Sequence, residues 1–258
     1  MMSQIQNLID RGALFVINHS AGKDSQAMTI HLKSIVPSGQ LMVVHADLGR
    51  VEWPGVQEHI RETVGDLLIS VVKNPNKDLL EMVERRGMWP SASTRQCTSD
   101  LKRGPIETWV RRTLKARPEF NGLVVNCMGM RAEESPSRAK KTAFKFNERN
   151  SKAGREWYDW LPIHNWTTEE VFKCIADAGQ KPHWAYEKGM SRLSCCFCIL
   201  ACKSDLRLSA KLNPDLYRTY VNLERKIGHT FAQPRKGQPT VFLEEITGIN
   251  SVHLEAAE

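Results

Sequence analysis

The sequence predicts an α/β protein built on a doubly wound, mostly parallel β-sheet, continued by a C-terminal helical region that contains cysteines. Three observations carry this expectation. Four apolar runs, Ala13–Asn18, Leu41–Ala46, Leu67–Val72 and Leu123–Met128, alternate with segments of helical character, and such alternation gives a parallel sheet with helices packed on it. The runs are short and rich in Val, Ile and Leu, as buried parallel strands are. The first run ends in Ser20-Ala21-Gly22-Lys23-Asp24-Ser25, a turn of small residues that opens a helix.

Taken in order, Ser3–Arg11 predicts a short leading helix with Ile5, Leu8 and Ile9 on one face. After the first strand, Asp24–Ser34 carries Ala27, Met28, Ile30 and Leu32 at helical spacing. A strand, a tight turn and a helix make an anion site: backbone N–H groups point outward, the helix dipole adds positive potential, and Lys23 supplies a charge. Ala21 and Gly22 allow a phosphate to approach the backbone. The Walker spacing is absent, because Asp24 stands between Lys23 and Ser25. The second strand ends at Asp47-Leu48-Gly49. Its carboxyl end is where open α/β sheets bind ligands, so Asp47 is placed either for ribose, adenine or magnesium, or simply as a turn residue.

Val56–Val64 and Asp78–Arg86 predict helices, and a further helix follows Thr94–Pro105 and runs to about Lys115. The fourth strand leads into Gly129-Met130-Arg131-Ala132-Glu133-Glu134-Ser135-Pro136-Ser137-Arg138. Arg131 and Arg138 offer planar donor forks for phosphate or sulfate, against the alternative of salt bridges to Glu133 and Glu134. From Arg138 to Arg155 the chain is basic, with Phe144 and Phe146 interleaved. This reads as a lid or strand pair that grips phosphates and stacks bases, or as a solvated loop. Thr167 and Glu170 form a capping-box pattern for a helix to about Ala178. Pro214–Ile227 is amphipathic and stops at Gly228. The expected division is a nucleotide-binding domain over 1–160 and a helical, cysteine-bearing region over 161–258.

The whole chain narrows the function. Its 258 residues suit one large α/β domain or a domain with an appendage. No apolar run is long enough to span a bilayer and no signal-peptide pattern is present, so a cytoplasmic protein is expected. A net charge of +7 favours an anionic partner. The seven cysteines are Cys97, Cys127, Cys174, Cys195, Cys196, Cys198 and Cys202, four of them within eight positions. That pattern points to a metal or a reactive sulfur rather than a disulfide framework.

Ser20–Ser25 resembles the PP-loop of ATP pyrophosphatases, which cleave ATP to AMP and pyrophosphate and adenylate a substrate. Five motifs in order resemble the phosphoadenylylsulfate (PAPS) reductase family: Ser20–Ser25; Cys97-Thr98 with Leu101-Lys102 and Pro105; Gly129-x-Arg131-x-x-Glu134-Ser135-x-x-Arg138; Trp160-Leu161-Pro162-Ile163 with Trp166-Thr167 and Glu170-Val171; and Tyr186-x-x-Gly189 with Cys195-x-x-Cys198. They cover residues 13–202. Leu223–Phe231 resembles phage- and plasmid-type members. The resemblance implies an adenine nucleotide α-hydrolase-like fold. It implies nucleotide binding by Ser20, Gly22, Lys23, Asp24, Ser25, Asp47, Gly129, Arg131, Glu134, Ser135 and Arg138, with Lys23, Asp24 and Cys97 as catalytic candidates.

Two departures direct the functional expectation. PAPS reductases usually lack the Lys-Asp pair retained here. Their thiol mechanism also uses a cysteine in a C-terminal tail, and no cysteine follows Cys202 in this sequence. The expectation is therefore ATP- and Mg²⁺-dependent activation with release of AMP and pyrophosphate, coupled to sulfur transfer, with nucleic acid as a candidate acceptor and a cysteine desulfurase as a candidate sulfur donor. A sulfite-forming PAPS or adenylylsulfate reductase is the first alternative, and a non-catalytic nucleotide- or nucleic-acid-binding module with a structural metal is the second. Family members with a [4Fe–4S] cluster use a central Cys-Cys pair and a later Cys-x-x-Cys. Here that gives Cys97, Cys195 and Cys198 as ligands, with Cys196 or Cys202 as the fourth. Zinc held by Cys97 and the late cysteines, with His183 in reserve, is the competing assignment; so is Cys97 as a free nucleophile.

Overall fold

The computed structural model describes residues 1–232, 237 and 239–254; positions 233–236, 238 and 255–258 of the expected 161–258 region lie outside the described residues. In chain order the elements are α1 (Met2–Asp10), β1 (Leu14–Asn18), α2 (Lys23–Ile35), β2 (Leu41–Ala46), α3 (Val56–Val64), β3 (Ile69–Val72), α4 (Leu79–Arg86) and α5 (Gln96–Thr98). They continue with α6 (Gly104–Ala116), β4 (Leu123–Met128), α7 (Pro136–Ala139), β5 (Phe144–Phe146), β6 (Glu156–Trp160) and α8 (Thr168–Asp177). The last are α9 (Trp184–Glu187), α10 (Lys203–Leu212), α11 (Pro214–Ile227) and α12 (Leu243–Thr247). The chain forms two compact units, each discontinuous in sequence: one of residues 1–46, 55–72 and 106–184, the other of 47–54, 73–105 and 185–258.

The first unit holds a six-stranded sheet in the order β3-β2-β1-β4-β6-β5. All neighbours are parallel except β5 and β6, which are antiparallel. The mostly parallel α/β architecture expected from the sequence is present. It has two strands more than the four apolar runs: β6 extends the sheet beside β4, and the basic stretch supplies β5 at the edge. Strand β3 is the opposite edge and is only partly buried, with Leu68 just before it 60% exposed.

Alternation along β1 sends its side chains to two faces. Leu14 and Val16 join Val44, Val124 and Trp157 under Val110 and Leu114 of α6. Phe15 turns to the other face and meets Trp160 edge-on, with ring centroids 6.2 Å apart. Both faces are dry, which is why the run reads as uniformly apolar. Each fully buried side chain of this size contributes about 1.5–3 kcal/mol. A polar ladder crosses the sheet on the α6 face. Asn18 donates to Asn126 Oδ1 (2.7 Å), Asn126 donates to Asp159 Oδ1 (3.1 Å), and Asn147 donates to Asp159 Oδ2 (2.8 Å). It joins the carboxyl ends of β1, β4 and β6, where the order reverses around β1 and ligands are expected.

In the second unit, Asp78 caps α4 in a complete capping box with Glu81. Its core is aromatic. Trp89 stacks on Tyr220 (5.1 Å, 18°), and Phe197 and Phe231 close around the same tyrosine. Buried Glu224 accepts hydrogen bonds from the backbone N–H of Phe231 and of Leu243, fixing the chain after α11. Helix α11 stops at Gly228, in the left-handed conformation the sequence predicts. Helix α10 lies outside the elements read from the sequence; its moderate amphipathicity was masked by the cysteines just before it.

Candidate functional site

Strand β1 delivers Ser20–Ser25 at the carboxyl end of the sheet, and Gly22 is the N-cap of the thirteen-residue α2. Gly22 has no side chain with which to cap that end, and a helix start carries the positive potential that binds anions. The turn is internally braced. Ser25 Oγ donates to the Gly22 carbonyl (2.8 Å) and accepts from the Ser20 N–H (3.2 Å). Ala21 holds φ = 60°, a left-handed conformation costly for a residue with a Cβ. Its N–H donates to His19 Nδ1 (3.1 Å). That acceptor role fixes the His19 proton on Nε2, which is buried and has no hydrogen-bond partner among the described residues. Burial, then His59 and His45 nearby, pushes the His19 pKa down to about 3.

The Gly129–Arg138 segment meets this turn from β4. A Cβ on Gly129 would lie 2.9 Å from the Asp24 carbonyl oxygen and 3.1 Å from the Ser25 nitrogen. The two backbones therefore touch at a point where a glycine is required. Arg131 is buried, with its guanidinium turned inward. Nε donates to Asp24 Oδ1 (2.6 Å), Nη1 to Glu133 (2.5 Å) and to the Trp166 carbonyl (3.0 Å), and Nη2 to Thr168 Oγ1 (3.0 Å). Burial works against its charge, but Asp24 and Glu133 outweigh that and hold its pKa above the ordinary arginine value. The other Asp24 oxygen, Oδ2, pairs with Lys23 Nζ at 3.0 Å, and that ammonium lies 6.0 Å from the ring of Phe172 on α8. Lys23 is itself buried.

Of the two readings of Arg131 and Arg138, forks for a phosphate or salt bridges to Glu133 and Glu134, the structure displays the salt bridges, and Arg131 also holds Asp24, which in turn holds Lys23. Glu134 accepts from the Arg131 N–H (2.8 Å) and pairs with Arg138. Ser135 is the N-cap of α7, accepting from the Arg138 N–H. Ser20, Gly22, Lys23, Asp24, Ser25, Gly129, Arg131, Glu134, Ser135 and Arg138 are thus brought together in the first unit. Asp47 belongs to the second. Its Oδ1 accepts from the Gly49 N–H (2.7 Å), a turn-stabilising contact, and it lines a groove of about 340 Å³ with Lys73, Asn74, Asn76 and Lys77. His19, Thr168 and Phe172 belong to the neighbourhood and were not read as such. His19 adjoins the motif; Thr168 and Phe172 left no signal, being a helix start and an ordinary apolar position.

The cysteines lie in the second unit, except Cys127 and Cys174 in the first. Cys127 is buried on β4, as a core thiol is. Cys97 is in α5; Cys195 and Cys198 follow α9. Burial, opposed by Lys102 and reinforced by Cys198 and Cys97, raises the Cys195 pKa to about 11. The thiols of Cys97, Cys195 and Cys198 are therefore electrostatic neighbours. Cys196 is buried, its N–H donating to the Val51 carbonyl (2.9 Å). Cys202 is exposed, 3.1 Å from Ser204 Oγ. Among the described residues, no three His, Cys, Asp or Glu side chains are already arranged as a metal site. Tyr220 is the further residue here. Its hydroxyl is buried without a hydrogen-bond partner among the described residues, in the field of Cys195, Cys196, Cys198 and Cys97.

Residues 15–201 match the phosphoadenosine phosphosulfate reductase domain, and the chain belongs to that family, a nucleotide-utilising enzyme family of the PP-loop superfamily. It is 29% identical over 174 residues to an uncharacterized protein of Escherichia phage 186, covering 67% of this chain and 49% of that one. It is 23% identical over 211 residues to an uncharacterized protein of Methanocaldococcus jannaschii, covering 82% and 41%. The chain spans less than half the length of these two relatives. Among solved structures it is similar to a PAPS reductase from Candida auris in a phosphate complex (TM-score 0.45, 14% identity, 70% of this chain and 80% of that one). It is also similar to yeast FAD synthetase in complex with FAD (TM-score 0.43, 13% identity, 76% and 66%). No helix among the described residues is long and apolar enough to cross a membrane.

Proposed function

We propose that the chain is an ATP-dependent, AMP-forming enzyme that adenylates an acceptor and passes it to sulfur transfer. The observation that carries this reading is the Arg131–Asp24–Lys23 chain at the start of α2. A loop that receives only a finished adenylate has no use for a second cation held beside it. In the proposed first step an acceptor oxygen attacks the α-phosphorus of ATP and the α–β phosphoanhydride bond breaks. Pyrophosphate leaves with its charge opposed by Lys23, the α2 N-terminus and the Mg²⁺ that accompanies the nucleotide. Asp24, fixed by Arg131, holds the ammonium until phosphate competes for it. Sulfur at the sulfide level then replaces the adenylated oxygen, and AMP departs carrying that oxygen, with no net oxidation. The acceptor is read as nucleic acid, consistent with the excess of basic residues.

Cys97, Cys195 and Cys198, with Cys196 as the fourth candidate, would hold an iron–sulfur cluster. The donor set is all sulfur, which suits such a cluster or zinc. The orphaned Tyr220 hydroxyl is the observation in favour of a metal: metal-bound sulfur would give it an acceptor. Cys202 is exposed and lies against Ser204, which favours buried Cys196 as the fourth. When bound, the cluster would supply a site that carries sulfide.

The test is pyrophosphate release from ATP by anaerobically purified protein, with iron and acid-labile sulfide assayed on the same sample. Lys23→Ala is expected to lower kcat about 10²-fold and leave the iron content unchanged. Equal pyrophosphate release by Lys23→Ala overturns the reading. Sulfite release from PAPS, without pyrophosphate release from ATP, replaces it with the reductase.

A further inference from the structure

Helix α6 carries a charge pattern that the nucleotide site does not use. Ile106, Trp109, Val110 and Leu114 turn toward the sheet and pack on its apolar core. At about 3.6 residues per turn, the opposite side presents Thr108, Arg111, Arg112 and Lys115 within an arc of about 100°. Arg112 and Lys115 are exposed and Arg111 is half-buried. No acidic side chain shares that arc, and no ion pair to any of the three cations is present among the described residues. Arg111 donates to Thr108 Oγ1 (2.9 Å), a neutral partner on the same face. The acids nearest to them along the chain are engaged elsewhere, Glu107 by Arg149 and Glu119 by Arg117.

This arrangement works against the helix taken alone. Arg111 and Lys115 are four positions apart and Arg112 and Lys115 three, spacings at which like charges repel and an acid would stabilise. A helix face that meets only water usually mixes both signs. The fold then brings a further cation to the same place. Buried Glu107, one turn before Arg111, pairs with Arg149 and accepts from Asn150 Nδ2 (3.2 Å), so the chain after β5 is pinned against α6. The Arg149 side chain stays 59% exposed. From Arg149 beside Glu107, through Arg111, to Lys115, cations recur at one-turn intervals of about 6 Å.

A row of this kind fits a repeating anion, whereas a single phosphate calls for donors that converge. Three of the four cations are arginines, whose planar forks match phosphate. Within the arc there is no aromatic or aliphatic side chain, so the face offers neither a stacking platform for unpaired bases nor an anchor in a bilayer. A duplex hides its base faces and presents dense phosphate charge, which is what this surface complements. We infer that Arg111, Arg112, Lys115 and Arg149 form a docking face for a nucleic-acid duplex, held by its phosphates and without sequence readout. This deepens the proposed function by giving a nucleic-acid acceptor a place to bind, and it rests on that reading for its purpose.

The experiment is fluorescence anisotropy of the full chain with a labelled DNA duplex of about two helical turns, at about 50 and about 200 mM salt. An RNA duplex, a single strand of the same length, and vesicles of phosphatidylserine and phosphatidylcholine in equal parts are run alongside. Arg111→Gln, Arg112→Gln and Lys115→Gln should each lower the log–log salt slope by about 0.9, and the triple variant should bind at least about 10-fold more weakly. A charge-matched control, Lys181→Gln with Lys188→Gln and Lys211→Gln, changes exposed positions outside α6 and should bind like the parent. Removing like charges should leave the melting temperature of the α6 variant unchanged or higher; a lower one would assign these side chains to the fold and overturn the proposal. Binding to neither duplex, tighter binding to the single strand, or equal affinity in the two triple variants also overturns it. Vesicle binding without duplex binding replaces it with a membrane surface. Pyrophosphate release from ATP alone separates this face from the activity. If the parent releases pyrophosphate but binds no duplex, the face fails and the activity stands; if it binds duplex through α6 but releases no pyrophosphate, the face stands and the activity fails.

Discussion

His19 shows how one residue ties the loop to pH. Its Nδ1 accepts from the Ala21 N–H, so a proton there would face another proton and the left-handed turn would lose its brace. With the folded pKa at about 3 and the unfolded value at 6.5, the unfolded chain binds the extra proton first as pH falls. Its contribution is complete above about pH 6.5 and is lost progressively toward pH 3. At about 1.4 kcal/mol per pH unit, the imidazole alone removes about 2 kcal/mol between pH 6.5 and 5. His31 and His59, lowered by burial, act in the same direction. Urea unfolding at the two pH values should show the loss, and His19→Gln should flatten it. An unchanged slope in His19→Gln would mean that another group carries the dependence.

At the scale of elements, the site is a contact between two strand-to-helix turns and the start of a third helix. Gly129 lets the β4 turn lie against Asp24; the α8 start supplies Thr168 to Arg131, and its capping box of Thr167 and Glu170 fixes that start. Gly129→Ala puts a methyl 2.9 Å from a backbone carbonyl, which a side-chain rotation cannot relieve. The turns must separate at a cost of about 1–3 kcal/mol in stability, and nucleotide affinity should fall at least about 10-fold, since a 1 Å misplacement can cost far more in rate. Isothermal titration reads the affinity and thermal unfolding the stability; full affinity would show that the contact is not needed. The β1 loop and the capping box were legible because each depends on local sequence. Strand β6 was not, because Glu156 and Asp159 break its apolar pattern: Asp159 is satisfied by Trp157 of its own strand and by Asn126 and Asn147, from two other places in the chain. The inward turn of Arg131 was likewise hidden, since Trp166 and Thr168 are more than thirty positions away.

At the scale of the whole molecule, the chain separates its chemistry into two units that each draw on distant segments. Cys97 and the Cys195–Cys198 run are about a hundred positions apart, yet one unit collects them around Tyr220. That unit contains α4, α5, α10, α11 and α12, and its aromatic core is closed by the same tyrosine whose hydroxyl lies in the field of the thiols. Metal binding to such a unit adds directly to its folding free energy. Tyr220→Phe separates the two roles of that side chain, because it keeps the ring and removes the hydroxyl. In metal-free protein the hydroxyl is buried and has no partner among the described residues, a state that costs about 1–3 kcal/mol, so the variant should be at least as stable as the parent. In metal-loaded protein the hydroxyl gains a sulfur acceptor, and the variant should unfold at lower temperature and release its metal more readily to a chelator. Thermal unfolding followed by near-ultraviolet circular dichroism, with and without metal, reads both states. Equal destabilisation in the two would assign the hydroxyl to packing and leave the thiols without a metal.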